Sequence, residues 1–363
     1  MKVIVAGAGY AGTLAANRLA KKVPDAEITV VNPRPDFVER VRLHQQLAGT
    51  GRAATPLSRM LRDGVRSRRA AVEKIGEGGL TLDGGETLDF DFLVLAVGST
   101  LSPLPGTVPI GTWEGAEQAR KALAALPAGG AVTVAGAGPT GIETAAEVAY
   151  ARPDLSVRLV GRDLAATLSE GARQRVRAGL ERLKVSILED AVERVEAGER
   201  AAGTVRLRSG ERFCSDLTLW AVIGGVPDLA ARSGLEVDER GRVIVDEYLR
   251  SVTDPRVIAA GDCAAVPGSR MSCQTAEPQG AHAADTVARL ISGRAPEPYS
   301  VQYVASCLSL GRRDGVIQIV RRDDTARRAY FAGRAAAMTK EGVVRGARFS
   351  ARTAMAGALP EKK

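Results

Sequence analysis

The chain has 363 residues, 45% hydrophobic and 25% charged, which excludes extended disorder and a fibrous fold and leaves room for two or three domains. Four cysteines without a C-x-x-C pair and only two histidines, His44 and His282, exclude a zinc ribbon, a dithiol motif and a His-rich metal centre; thiols this sparse suit a reducing cytoplasm. The net charge of +8 lies wholly between Ser300 and Lys363, where thirteen Lys/Arg stand against five Asp/Glu, a segment that can be a solvated surface or can meet an anionic lipid surface or an acidic partner.

The uncharged stretch Val3–Asn17 after Lys2 has the look of a secretion signal, but its ordered glycines make it a strand and a turn. Val3–Ala6 is an apolar strand running into Gly7-Ala8-Gly9-Tyr10-Ala11-Gly12, with an alanine-rich helix and a second strand, Ile28–Val31, behind it. This is the pattern of a dinucleotide-binding βαβ unit. Gly7 permits the tight turn, Gly9 the approach of a pyrophosphate, Gly12 the packing of helix on strand, and the helix start offers free N–H groups to phosphate. The segment Glu39–His44 is charged and contains Arg42 and His44; contact with a cofactor ring and a partly exposed helix face explain it equally well.

Leu80–Glu86 reads as a hairpin turning at Gly84-Gly85, followed by the buried strand Phe92–Ala96. The uncharged run from Phe92 to Trp113 is broken by Gly98, Pro103, Pro105, Gly106, Pro109 and Gly111, so no membrane-spanning helix is expected there. Val132–Ala135 then leads into Gly136-Ala137-Gly138-Pro139-Thr140-Gly141, a helix and the strand Val157–Val160, a second copy of the first motif. Val205–Glu211 turns at Ser209-Gly210 and leads to Leu217–Ala221, repeating the earlier hairpin and strand at an offset of 125 residues (205 − 80). Val257–Ala260 is a further apolar strand ending in Gly261-Asp262; an acid there faces the ligand crevice or caps the turn that follows. Gly280–Ala284 reads as a helix start, Ser309–Gly315 as a hairpin turn into the strand Val316–Val320, and Ala335–Ala356 as a basic helix whose apolar face includes Met338, Val344 and Met355.

These motifs, in this order, resemble the two-dinucleotide-binding-domain flavoproteins of the pyridine nucleotide-disulphide oxidoreductase superfamily, and most of all the type II NADH dehydrogenases and apoptosis-inducing-factor-like oxidoreductases. The resemblance rests on Gly7–Gly12, Phe90–Ser99, Gly136–Glu143 and Val257–Asp262. It implies an α/β fold of two Rossmann-like domains, the second inserted in the first: an FAD-binding domain over 1–107 and 243–299, an NAD(P)-binding domain over 108–242, and a small basic C-terminal domain over 300–363.

By the same resemblance Gly7, Gly9, Tyr10, Ala11 and Gly12 would hold the FAD pyrophosphate. Ala96, Val97 and Gly98 would pass beneath the flavin, and Gly261 and Asp262 would reach its ribityl chain. Gly136, Gly138, Pro139, Thr140 and Gly141 would hold NADH or NADPH, with Glu143 near the nicotinamide. Arg42 would contact the flavin, and Gln274 would lie close to it. The activity implied is hydride transfer from NAD(P)H to FAD, then electrons to a quinone or another small acceptor. A slow redox-sensing flavoprotein and a reductase of a specialised biosynthetic substrate stay open beside it. A cytoplasmic protein, a homodimer and a peripheral contact of the C-terminal domain with the inner face of a membrane are compatible with the family; a nucleic-acid partner is not expected where aromatics make up only 4%.

Four departures from the family pattern bear on function. The usual ribose-binding acid is replaced by Asn32 in the first copy and by Gly161-Arg162 in the second. Arg162 can pair with a 2′-phosphate, which predicts a preference for NADPH. The flavin-proximal A-Q-x-A-x-Q segment of quinone-reducing relatives reads Cys273-Gln274-Thr275-Ala276-Glu277-Pro278, keeping Gln274 and losing the second Gln. Cys263 and Cys273, ten residues apart, are expected to be inert buried thiols rather than a working pair.

Overall fold

The computed structural model describes residues 1–196 and 203–355, so Ala356 and the rest of the predicted basic end lie outside it. In chain order the elements that position the site are β1 (Lys2–Ala6), α1 (Tyr10–Lys22), β2 (Glu27–Asn32), α2 (Leu43–Ala48), β3 (Arg66–Arg69) and β4 (Phe92–Leu95). Next come β5 (Val108–Pro109), α3 (Trp113–Ala125), β6 (Ala131–Ala135), α4 (Pro139–Ala151), β7 (Ser156–Val160), α5 (Glu170–Arg182), β8 (Ser186–Leu188) and β9 (Leu217–Trp220). They are followed by β10 (Val257–Ala259), α6 (Cys273–Ile291), β11 (Ala305–Ser309), β12 (Gly315–Val320), β13 (Ala326–Ala332) and α7 (Arg334–Thr353).

Two parallel sheets result. The first runs β10-β4-β1-β2-β3 and the second β5-β9-β6-β7-β8. Strands covered by helices on both faces need near-continuous apolar runs, and β1 supplies one: after Lys2 every residue is buried. The chain leaves the first sheet after β4 and returns to it at β10, which pairs with β4 in the register Val257↔Leu93. Each fold carries a three-stranded antiparallel excursion, Val72–Asp89 and Val192–Ser215, turning where the Gly-Gly and Ser-Gly pairs were expected to turn. In both sheets the central strand carrying the glycine turn (β1, β6) has neighbours whose connections lead away in opposite directions, which opens a crevice at the strands' carboxyl ends.

The C-terminal segment belongs to both cores. Leu308, Leu310 and Val316 of its antiparallel sheet join the core of the second fold, while Ala347 and Ala351 of α7 join that of the first. The Asn17 side chain of α1 donates to the carbonyls of Ala351 (2.8 Å) and Arg352 (3.2 Å), fixing the end of α7.

Two sequence expectations need correction. The helix placed at Gly280 begins at Cys273, because the Ser272 hydroxyl caps it by accepting from the Thr275 N–H; Pro278 lies inside it and removes one backbone donor. The inward face of α7 is not the one suggested by Met338 and Met355, which are exposed. Val344 is buried as expected, and Ala336, Lys340, Ala347 and Ala351 join it in place of the methionines, because small residues let α7 lie close against α1 and the sheet.

Candidate functional site

The two glycine turns are near-copies in space. Gly7 and Gly136 have φ of +101° and +122°, which L side chains rarely adopt. A methyl group on Gly12 would overlap the Gly7 carbonyl, and one on Gly141 would overlap that of Gly136. The second glycines differ: nothing lies within 4 Å of a methyl group built on Gly9 or on Gly138. Each precedes a helix whose first N–H groups have no intrahelical acceptor: those of Tyr10 and Ala11 in α1, and that of Thr140 in α4, where Pro139 has none to give. Both turns are therefore shaped to admit an anion.

Around the first turn the Asn32 Oδ1 accepts from the Ala8 N–H (3.1 Å), so this residue ties the turn to β2 without a charge. A cleft of about 200 Å³ opens near the carboxyl ends of β2 and β3, lined by Arg34, Arg69, Trp113 and Glu114 among others. Ala96 bonds back to the Ala6 carbonyl, Val97 follows, and Gly98 turns with φ +71°. Gly261 (φ +81°) places Asp262, whose Oδ2 accepts from the Ser99 hydroxyl (2.6 Å) and lies 3.6 Å from the Arg40 guanidinium. Asp262 lies inside a 3-10 turn whose N-cap is Ala260, so it is not the cap of that turn.

Around the second turn, Gly161 is required because a Cβ would overlap the Ala137 amide. Arg162 is exposed and makes no ion pair among the described residues; Asp163 follows it, also exposed. Glu143, one turn into α4, does not face open space. It is buried, with Oε1 accepting from the Ser309 N–H (2.8 Å) and hydroxyl (3.1 Å) and paired to the Lys340 ammonium of α7. His44 Nδ1 lies 3.9 Å from its other oxygen. Burial, then the cations Lys340, Arg312 and Arg42, drive the His44 imidazole well below its ordinary value, so it is neutral at pH 7. Burial and Arg42 draw Lys340 down to about 7 against the pull of Glu341.

Arg42 is not free for a ligand. It donates to Gln45 (3.0 Å) and to both oxygens of Glu341 (2.9 and 3.0 Å), with Glu39 at 3.3 Å. The arginine turned toward Asp262 is Arg40, bonded to the Ser99 hydroxyl (2.8 Å) and the Gly111 carbonyl (3.1 Å). Gln274 accepts from Arg270 (3.1 Å) at the start of α6, and the Gln279 side chain accepts from the Gly261 N–H (2.7 Å).

Residues 1–280 match the pyridine nucleotide-disulphide oxidoreductase family. The chain belongs to that family. It is an oxidoreductase that uses FAD and NAD(P)H. A NADH dehydrogenase-like protein of Mycobacterium tuberculosis is 30% identical over 352 residues, covering 87% of each chain. The type II NADH:quinone oxidoreductase of Staphylococcus haemolyticus is 27% identical over 374 residues, covering 91% of this chain and 92% of that protein. The sulfide:quinone oxidoreductase of Aquifex aeolicus superposes with a TM-score of 0.79 over 97% of this chain and 92% of its own, at 18% identity, which is a likeness of fold.

The residues present fit the family's cofactor. The open space above Gly9 would take a pyrophosphate, the cleft by Arg34 and Trp113 would take its adenosine end, and Asp262 would stand beside the polyol chain. Bound FAD supplies the two-electron chemistry; the protein supplies placement and charge.

Sequence reasoning missed Arg40, Ser99, Gln279, Lys340 and Glu341. Arg40 sat in the charged segment but was passed over for Arg42. Lys340 was read as one of several cations on a basic helix, and no local pattern marks it as the buried one.

Proposed function

We propose that this chain carries electrons from NADPH, in preference to NADH, through FAD to a quinone. The observation that carries the acceptor is the state of the thiols. Burial pushes Cys263 to about 11, Cys273 to about 12 and Cys307 to about 11, and all are free. The thiolate is the reactive form, so these cysteines are poor relays for a disulfide substrate, and electrons leave for a diffusible acceptor. The relative named as a NADH:quinone oxidoreductase supports the same class.

In this reading residues 1–107 with 243–299 hold FAD and 108–242 hold the nicotinamide cofactor. Gly138 and the start of α4 receive the dinucleotide pyrophosphate, and Arg162, without a competing ion pair, receives the 2′-phosphate. Glu143, Lys340 and neutral His44 form the proton-bearing junction between the two folds and the C-terminal segment. Gln274 faces the acceptor from the start of α6. Residues from 300 onward place the protein against an anionic membrane, where quinones reside. Met338, Val343, Phe349 and Met355 are exposed on or next to α7 among Arg345, Arg348 and Arg352. Among the described residues no helix is long and apolar enough to cross a membrane.

Anaerobic stopped-flow mixing of the holoprotein with NADPH and, separately, NADH tests this directly. The flavin absorbance should bleach faster with NADPH and return on addition of a short-chain ubiquinone. Slow bleaching with both nucleotides and no return with quinone would replace this reading with that of a redox sensor.

A further inference from the structure

Glu277 is a half-buried acid that no part of the site so far described uses. Its Oε1 is shielded from solvent and has no hydrogen-bond partner, an arrangement that costs stability unless a ligand or a proton satisfies it. It stands one turn into α6, between two residues that touch the Asp262 turn: Ala276, packed toward Gly261, and Gln279, bonded to the Gly261 N–H. Gln274 is on the same helix end. From the facing elements, Tyr10 of α1 lies within reach of its charge, as Cys273 on its own helix does, and Cys307 of β11 acts on Cys273 in turn. Burial, then the charges of Glu39, Cys273 and Glu277, raise the Tyr10 hydroxyl well above its ordinary value, while burial, Glu277 and Cys307 raise the Cys273 thiol. No cation is among the groups that act on Glu277. Burial alone pushes it up to about 8, so its carboxyl holds a proton at neutral pH.

A route to solvent begins at Tyr10. The Tyr10 hydroxyl donates to Glu39 Oε1 (3.4 Å), and Glu39 Oε2 lies 3.5 Å from Arg348 of α7, whose side chain is 45% exposed. Tyr10 is held for this by its edge-on contact with Phe37, 5.1 Å between ring centres.

We propose that Glu277 is the acid that protonates the reduced acceptor, and that Tyr10 and Glu39 reload it from the α7 surface. The inference rests on the quinone reading above. In the balanced reaction NAD(P)H loses a hydride to become NAD(P)+, and its two electrons and one hydrogen pass by way of the flavin to the quinone. The second hydrogen comes from Glu277: its O–H bond breaks, an O–H bond forms on a quinone oxygen, and quinol and a carboxylate remain. A proton from solvent then restores the carboxyl through Glu39 and Tyr10.

The test uses the FAD-loaded full chain, NADPH as donor, and two acceptors: a short-chain ubiquinone, which takes up protons, and ferricyanide, which takes electrons only. In Glu277→Gln the quinone rate should fall about 100-fold relative to the ferricyanide rate, the scale of a lost general acid. The wild-type quinone rate should fall about tenfold per pH unit above about 8, and that limb should vanish in the variant. Tyr10→Phe should slow steady-state quinone turnover while leaving the first turnover fast. A Glu277→Gln protein with the wild-type rate ratio and pH limb overturns the role of Glu277 alone, as does an equal fall with both acceptors. A wild-type protein that reduces ferricyanide but no quinone overturns the acceptor reading, and this inference with it.

Discussion

Replacing Gly9 by Ala separates the fold of the first glycine turn from its function. Gly9 caps α1 with φ −77° and ψ −166°, a conformation open to alanine, and no protein atom lies within 4 Å of the added methyl group. The protein without FAD should therefore lose at most about 1 kcal/mol, the scale of a poorer helix cap. The bound state is different. The methyl group occupies the path by which the pyrophosphate reaches the α1 N–H groups, and one charge-assisted hydrogen bond to phosphate is worth about 1.5–3 kcal/mol. That is a rise of about 10- to 150-fold in the FAD dissociation constant. Fluorescence titration of the FAD-stripped protein reads the affinity, and thermal melts with and without FAD read the rest. The melting point without FAD should hold while the increment that FAD adds shrinks. Wild-type affinity, or a collapse of the stripped protein, would refute the assignment of that open space to the pyrophosphate. Gly12→Ala is the contrast, because its methyl group meets the Gly7 carbonyl and the turn itself must give way.

In the second fold, Gly138→Ala should raise the KM for NADPH at unchanged FAD content, measured by steady-state kinetics and flavin absorbance. Arg162→Ala should lower kcat/KM for NADPH about 10- to 100-fold, the worth of one charge-assisted bond, with NADH barely affected; parallel losses with both nucleotides would contradict a 2′-phosphate contact. Lys340→Met should strand the Glu143 carboxylate and cost about 3–5 kcal/mol in urea unfolding, and adding Glu143→Gln should recover most of it. Glu277, raised from 4.5 to about 8 in the fold, binds its proton more tightly there than in the unfolded chain. It therefore lowers stability as pH rises from about 4.5 through about 8. Glu277→Gln should flatten that part of the melting-point profile.

Much of the fold was legible because its signals are local. Gly7 and Gly136 answer to φ angles fixed by the turn, and the apolar runs of β1 and β6 answer to burial on both faces. The cofactor turns could be found for the same reason. What stayed hidden depends on contacts far apart in sequence. Arg42 and Glu341 are 299 residues apart, and nothing near either one announces the pair. Choosing Arg42 over Arg40 for the ligand side had a local cause: the segment is a 3-10 turn, Arg40–Arg42, in which residues two apart point to different sides. Alternating charge in the sequence could not say which of them turned inward. On α7 Val344 was placed rightly but Met338 and Met355 pointed to the exposed face, whereas alanines and one lysine make up the rest of the buried one.

The bonds from Asn17 to the last turn of α7 join residues 334 and 335 positions apart, and the same helix holds Glu143 through Lys340. Both nucleotide folds therefore stay unfinished until the C-terminal segment adds Leu308, Leu310 and Val316 to one core and Ala347 and Ala351 to the other. Until α7 docks, Arg42 and Glu143 lack the partners that Glu341 and Lys340 give them. One helix thus ties the two folds together, and loosening it would expose parts of both cores at once.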